Sequence, residues 1–203
     1  IIMAGYGLAP VKNGDGGSIR ANNFCDGNGY RIAATAPSAY FEGDLCTLTN
    51  GLLVTDMGSA TAGTVIGAFY GAEYVDNSSG DVKFVRSIAA STVAKAQFKA
   101  YVYDNPYCIF KIQADQDTTA LDATMVGNNL QIVASPSGST TTFKSGLVAD
   151  SSTQNTTQGF PLQFIGSAEV TDGSYTAAGT TMDILVKINT HLWGNAAGNT
   201  GLT

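Results

Sequence analysis

Apolar and polar side chains alternate along most of this chain, which is the period of a β-strand with one face buried. Val82-Lys83-Phe84-Val85-Arg86 reads this way, as do residues 106–114, 160–169 and 182–189. Residues 63–75 mix β-branched and aromatic side chains with glycines, and predict a central strand that accommodates bulges. Shorter strands are expected over 29–33, 39–48, 52–55, 130–134 and 146–150, with Asn50-Gly51 as a two-residue hairpin turn. In residues 92–103, Lys95, Gln97 and Lys99 alternate with Ala94, Ala96, Phe98 and Ala100, a period of two that favours strand over helix. One short helix is expected over Asp117–Gly127, capped by Asp117 or Thr118 and stopped by Gly127. Residues 14–18, 76–81, 135–142 and 151–159 read as polar turns and loops, and the small, polar tail from Gly194 to Thr203 is expected to be loose.

These elements predict an all-β fold: an antiparallel barrel or sandwich with long loops, an extended N-terminal arm and at most one or two short helices. Residues 1–24 read as an extended N-terminal arm and loop, with an ordinary first strand as the alternative reading of 1–12. Residues 25–203 read as a single β-rich domain, with a subdivision near residue 100 left open. No internal repeat of fixed period marks the chain.

Composition sharpens this picture. Charged residues make up 13% of the 203, against about 25% in ordinary globular chains. Glycine contributes 24 residues, which suits many short strands joined by turns. A net charge of -6, with ten basic residues scattered rather than clustered, argues against a nucleic-acid partner. No apolar run is long enough for a membrane span, and Ile1-Ile2-Met3-Ala4-Gly5-Tyr6 lacks the basic start of a signal peptide. Cys25, Cys46 and Cys108 fit neither a zinc pattern nor a disulfide framework and are expected to be free thiols of a protein made in a reducing cytoplasm.

Little in the chain points to catalysis. The one histidine, His191, has no nucleophile elbow or Cys/His signature beside it and reads as a structural residue at a strand end. Glu42 with Asp44, and Asp115 with Asp117, are carboxylates two apart on strands, an arrangement common on solvated faces. Residues 76–81 resemble a calcium loop in composition but lack a closing Glu, and no phosphate loop or dinucleotide fingerprint occurs. No enzyme activity, cofactor or metal is expected. Adjacent aromatics such as Phe69 and Tyr70 must face opposite sides of a strand, so one of them reaches a second buried surface, such as a subunit interface. Phe69 and Tyr70 are expected at an interface on this basis, and His191 and Trp193 are expected there with them.

The order of short phrases along the chain resembles the capsid decoration (cement) proteins of tailed bacteriophages. The phrases are Gly7-Leu8-Ala9-Pro10-Val11, Tyr40-Phe41-Glu42-Gly43-Asp44-Leu45, Val65-Ile66-Gly67-Ala68-Phe69-Tyr70-Gly71-Ala72-Glu73-Tyr74, Tyr101-Val102-Tyr103-Asp104-Asn105-Pro106, Ile109-Phe110-Lys111-Ile112-Gln113 and Leu185-Val186-Lys187-Ile188-Asn189-Thr190-His191. The likeness spans residues 5–193 and departs at the insert from Gly14 to Gly17. It implies a protein on the outer surface of an icosahedral head, made in the host cytoplasm, whose partners are the major capsid protein and itself, as a homotrimer, with no nucleic acid and no membrane. The arm residues Ile1, Ile2, Tyr6, Leu8, Pro10 and Val11 would then meet the capsid by strand addition. The competing reading is a head-fibre or receptor- or carbohydrate-binding β module.

Overall fold

The computed structural model describes residues 5–21, 30–33, 38–55, 65–90, 96–134, 138–168 and 175–202. It is all-β, as the alternation predicts. The strands are β1 (Ala9–Asn13), β2 (Tyr30–Ile32), β3 (Tyr40–Phe41), β4 (Leu45–Thr49), β5 (Leu52–Thr55), β6 (Val65–Val75), β7 (Val82–Val85), β8 (Ser87–Ile88), β9 (Ala96–Tyr103), β10 (Cys108–Ala114), β11 (Asn129–Ala134), β12 (Leu147–Asn155), β13 (Leu162–Ser167) and β14 (Met182–Ile188). Asn50 and Gly51, both at positive φ, turn β4 into β5 as the Asn-Gly pair requires.

Two closed five-stranded barrels result. In the first, β2 pairs β5 in parallel, and the ring continues through β4, β6 and β9 back to β2 by antiparallel pairings. In the second, β10 pairs β12 in parallel, and the ring continues through β11, β13 and β14 back to β10, again antiparallel. Numbered by chain order within each barrel, both follow the cycle first-third-second-fourth-fifth, with the parallel pair between first and third. The two barrels therefore share one topology, although no sequence period announces it. Strand β7 extends the first barrel along β6, and β1 extends the second along β10.

The barrels have separate cores that meet along β4 and β6. Tyr30, Ile66, Phe69, Phe98, Ala100 and Val102 fill the first; Phe110, Ile112, Leu130, Phe164, Ile184 and Val186 fill the second. Leu45, Val65 and Ala68 point out of the first barrel and join the second core, so one face of β4 and β6 is buried against the neighbouring barrel. In β14, buried and half-buried residues alternate strictly, as expected of a strand walling a packed barrel.

Three expectations need correction. The helix over 117–127 reduces to a 3-10 turn at Ala123–Met125, whose cap is Asp122 rather than Asp117 or Thr118; its carboxylate accepts the Thr124 N–H. Ser151–Asn155, read as loop, continues β12: the buried Ser151 donates its N–H and Oγ–H to Asp115, and Asn155 pairs with Asn129 beyond a register shift. The tail is not loose: Asn189 Oδ1 accepts the Asn199 N–H at 2.8 Å, Gly201 N–H bonds to Thr156 O and Leu202 N–H to Gly127 O. No helix among the described residues is long and apolar enough to cross a membrane.

Candidate functional site: the seam between the barrels and the aromatic face beside it

Four segments stitch the barrels together. The chain crosses between them at residues 104–107. After β14 it returns, and His191 forms a bridge with Val65 while Leu192 N–H bonds to Val65 O at 2.7 Å. The loop at 138–146 lies on the β3–β4 turn, where Glu42 N–H bonds to Phe143 O and Ser145 N–H to Glu42 O. Residues 5–8 thread the remaining gap: Gly7 N–H bonds to Leu147 O and Leu8 N–H to Gly43 O. Gly7 and Gly43 sit at φ +70 and +93 with each other's backbone within 3.3 Å of where a Cβ would stand, so neither position can carry a side chain.

This threading corrects the picture of a free arm. Leu8 is buried in the second core and β1 is already paired with β10, so Leu8 cannot reach a partner. The Tyr6 ring sits under the Lys111 ammonium, Pro10 lies in the ladder, and Val11 remains exposed. Ile1 and Ile2 lie outside the described residues.

The ionisable groups of the seam are structural ties. Tyr30 donates to Asp104 Oδ2 at 2.7 Å and receives the Trp193 indole N–H at 3.3 Å. Asp44 is buried; its Oδ2 accepts the Phe41 N–H at 2.7 Å. Burial pushes its carboxyl up to about 6, against the pull of the Ser145 hydroxyl and the Phe41 N–H. His191 is buried with Nδ1 accepting the Trp193 N–H, while Nε2 has no partner of good geometry among the described residues. Burial lowers it to about 4, and the Asp104 carboxylate and the backbone of Ile66 and Asp104 only partly resist. As the chain has a single histidine, a proton NMR titration will report it cleanly; the expected midpoint is near pH 4, and a midpoint near 6.5 would refute the buried placement.

The carboxylate pairs are divided between separate tasks. Glu42 is engaged by Lys144 at 2.7 Å and Arg86 at 3.5 Å, whereas Asp44 turns inward. Asp115 accepts Ser151 N–H and Oγ–H, and Asp117 accepts the Thr118 N–H. In the 76–81 turn, Lys83 and the Ser78 N–H occupy the Asp76 carboxylate and hold it down at about 2. Cys46 and Cys108 are buried thiols in no disulfide, with Cys46 Sγ donating to Asp44 O at 3.7 Å, and burial raises the Cys108 thiol to about 12; Cys25 lies outside the described residues. Among the described residues no group of three metal-binding side chains converges.

Of the four residues expected at a subunit interface, Phe69 and His191 are fully inside the chain, which corrects that expectation for both. Phe69 packs on Tyr40 in the first core. Tyr70 and Trp193 do reach the surface. Trp193 is 55% exposed yet fixed by its indole bond to Tyr30. Tyr70 belongs to an aromatic face on the outside of the first barrel. Its ring lies 5.7 Å from Phe84 and 5.5 Å from Tyr103, Phe84 lies 6.0 Å from Tyr101, and the Arg86 guanidinium sits 5.8 Å above Tyr70. Arg86 shares Glu42 with Lys144, and the Glu42 N–H bonds to the carbonyl of the neighbouring Phe143. Phe143 is exposed at φ +61, a conformation rare for a bulky residue, and is held there by N–H bonds from Phe143, Thr141 and Thr142 to Ser139. Sequence reasoning missed Phe84, Tyr101, Tyr103 and Phe143; the alternation of Lys99, Tyr101 and Tyr103 with buried Phe98, Ala100 and Val102 was the available signal for two of them. No family model matches the chain, and neither a curated protein nor a solved structure does.

Proposed function

We propose that this chain is a non-enzymatic structural module that decorates the outer surface of an icosahedral phage head as a homotrimer and stabilises contacts between capsomers of the major capsid protein. The observation that supports it best is the division of chemistry between inside and outside. Asp44, Asp104, Tyr30 and His191 are buried along the seam, while Phe84, Phe143, Tyr107 and Trp193 stand on the surface. Exposed aromatics beside arginine are the residue types that dominate protein–protein contacts. The order of phrases from Gly7 to His191 adds the class of partner. A protein that binds the assembled shell better than loose subunits stabilises it by linkage, and several copies acting together multiply weak contacts.

The test is co-sedimentation of the purified chain with filled and empty heads and with free capsid subunits. Saturable binding to assembled heads, absent with free subunits and accompanied by a higher melting temperature of the shell, is the expected result. Equal or no binding to both forms would end the proposal. The second reading, a carbohydrate-binding module, draws on Trp193 and Tyr107, whose neighbours Gly194 and Pro106 touch, with Asn105 and Asp15 hydrogen-bonded nearby. Binding on a glycan array that a Trp193→Ala variant loses would favour it.

A further inference from the structure

We propose that the aromatic face of the first barrel is a self-association surface, and that it receives the acidic, apolar end of the second barrel of another copy, head to tail. This gives the self-association part of the proposed function a surface and stands or falls independently of shell binding.

The two barrels supply an internal control. Both have the same cyclic strand order, so a feature needed merely to close such a barrel should occur in both. The outward positions of β9 are Lys99, Tyr101 and Tyr103; those of its counterpart β14 are Asp183, Leu185 and Lys187. On the fourth strands, Tyr70 of β6 stands against Gln163 and Ile165 of β13. The second barrel closes without aromatics at the matching positions, so Tyr70 and Tyr101 are not required to close such a ring; Phe84 stands on β7, a strand the second barrel lacks, and Tyr103 also packs against the second core. Phe143 adds a second, independent sign. A bulky residue at positive φ is strained, and the Ser139 turn keeps it there with its ring in solvent.

Charge identifies the occupant. Arg86 and Lys144 are half exposed around the more buried Glu42, so the face is locally basic on a chain of net charge -6. The acidic excess lies in the second half of the chain: residues 104–203 hold eight acidic and three basic residues, Lys144 of the first face among the latter, whereas residues 1–103 hold eight and seven. No basic residue occurs between Lys111 and Lys144. Within that stretch Asp122 is exposed beside exposed Val126, and Leu202, also exposed, packs over Gly127. One face thus shows aromatic rings with cations, the other the aliphatic Val126 and Leu202 with the Asp122 carboxylate. Two such unlike faces on one chain make a heterologous contact, which propagates into a ring or a filament.

Sedimentation velocity on the purified chain, with no shell present, tests this through complementation. Phe84→Asp breaks the first face and Val126→Asp the second. Wild type is expected to associate reversibly at concentrations on the order of 100 μM or below, more weakly at high salt. Each variant alone is expected to be monomeric, and an equimolar mixture to form a one-to-one dimer, because one partner keeps an intact first face and the other an intact second face. Arg86→Glu, a surface change, should weaken association at least tenfold. Phe143→Gly should raise the melting temperature by roughly 2 °C or more by relieving the backbone, yet weaken association, opposite signs that a purely structural role would not give. A monomeric wild type, a Val126→Asp variant that still associates, or a mixture that stays monomeric would overturn the proposal, whatever the heads bind.

Discussion

Gly67→Ala is expected to cost the first barrel about 3 kcal/mol or more and to leave little folded protein, while Gly166→Ala costs about 1–2 kcal/mol. Both glycines lie on the fourth strand of their barrel, at φ +150 and +153, and both stand where the register shifts. The backbone conformation penalises any side chain at either position. Their surroundings differ. A Cβ on Gly67 would run into the carbonyl oxygen of Tyr103, with the carbonyl carbon at 2.8 Å, whereas nothing lies within 4 Å of a Cβ on Gly166. Tyr103 is held by its pairing with Ala68, so its carbonyl cannot swing aside without opening the β6–β9 ladder that closes the ring. A domain's whole stability is about 5–15 kcal/mol, so a loss of this size is decisive. Urea unfolding of the two variants measures it; equal losses would mean that the β6–β9 contact is looser than its geometry.

What the sequence revealed and what it concealed follow the range of the interactions involved. Strand class was legible because alternation is local: Met182 through Ile188 states its own inner and outer faces. The shared topology of the barrels was not, because the two connect their strands differently. Asn50 and Gly51 alone join β4 to β5, while residues 135–146 join β11 to β12, and β2 has three residues where β10 has seven. A shared strand order with unequal loops leaves no period to detect. The adjacency of Phe69 and Tyr70 correctly implied opposite faces, but which one lay in a core depended on the curvature of β6 around it. Phe143 lies in a polar loop, and only the turn anchored by Ser139 sets its left-handed backbone beside Glu42, whose N–H bonds to its carbonyl. The arm looked free because its apolar residues have no local partner. Their partners, Gly43 and Leu147, come from each of the two barrels.

The seam carries two buried titratable groups whose effects on stability oppose each other, and separating them is the last prediction. Asp44 holds its proton more tightly in the folded chain, at about 6 against 3.8, so its contribution falls as pH rises through that interval. His191 holds its proton less tightly, at about 4 against 6.5, so its contribution rises with pH over nearly the same interval and is complete above 6.5. Each amounts to about 3 kcal/mol at 1.36 kcal/mol per unit. The lowered carboxylates Asp15, Asp76 and Asp122 act below their ordinary value of 3.8, outside this window. Between pH 4 and 6.5 the two slopes of the wild type should therefore nearly cancel. Asp44→Asn, which keeps an acceptor for the Phe41 N–H, is expected to expose the histidine limb, with stability climbing by about 3 kcal/mol from pH 4 to 6.5. His191→Asn, which keeps an acceptor for the Trp193 N–H, is expected to expose the carboxylate limb, with stability declining by about as much over the same range. Chemical denaturation at half-unit pH steps reads both. Parallel curves for the two variants would show that neither group is desolvated at the seam, and with that the account of the barrels as joined through a dry, ionisable interior would fail.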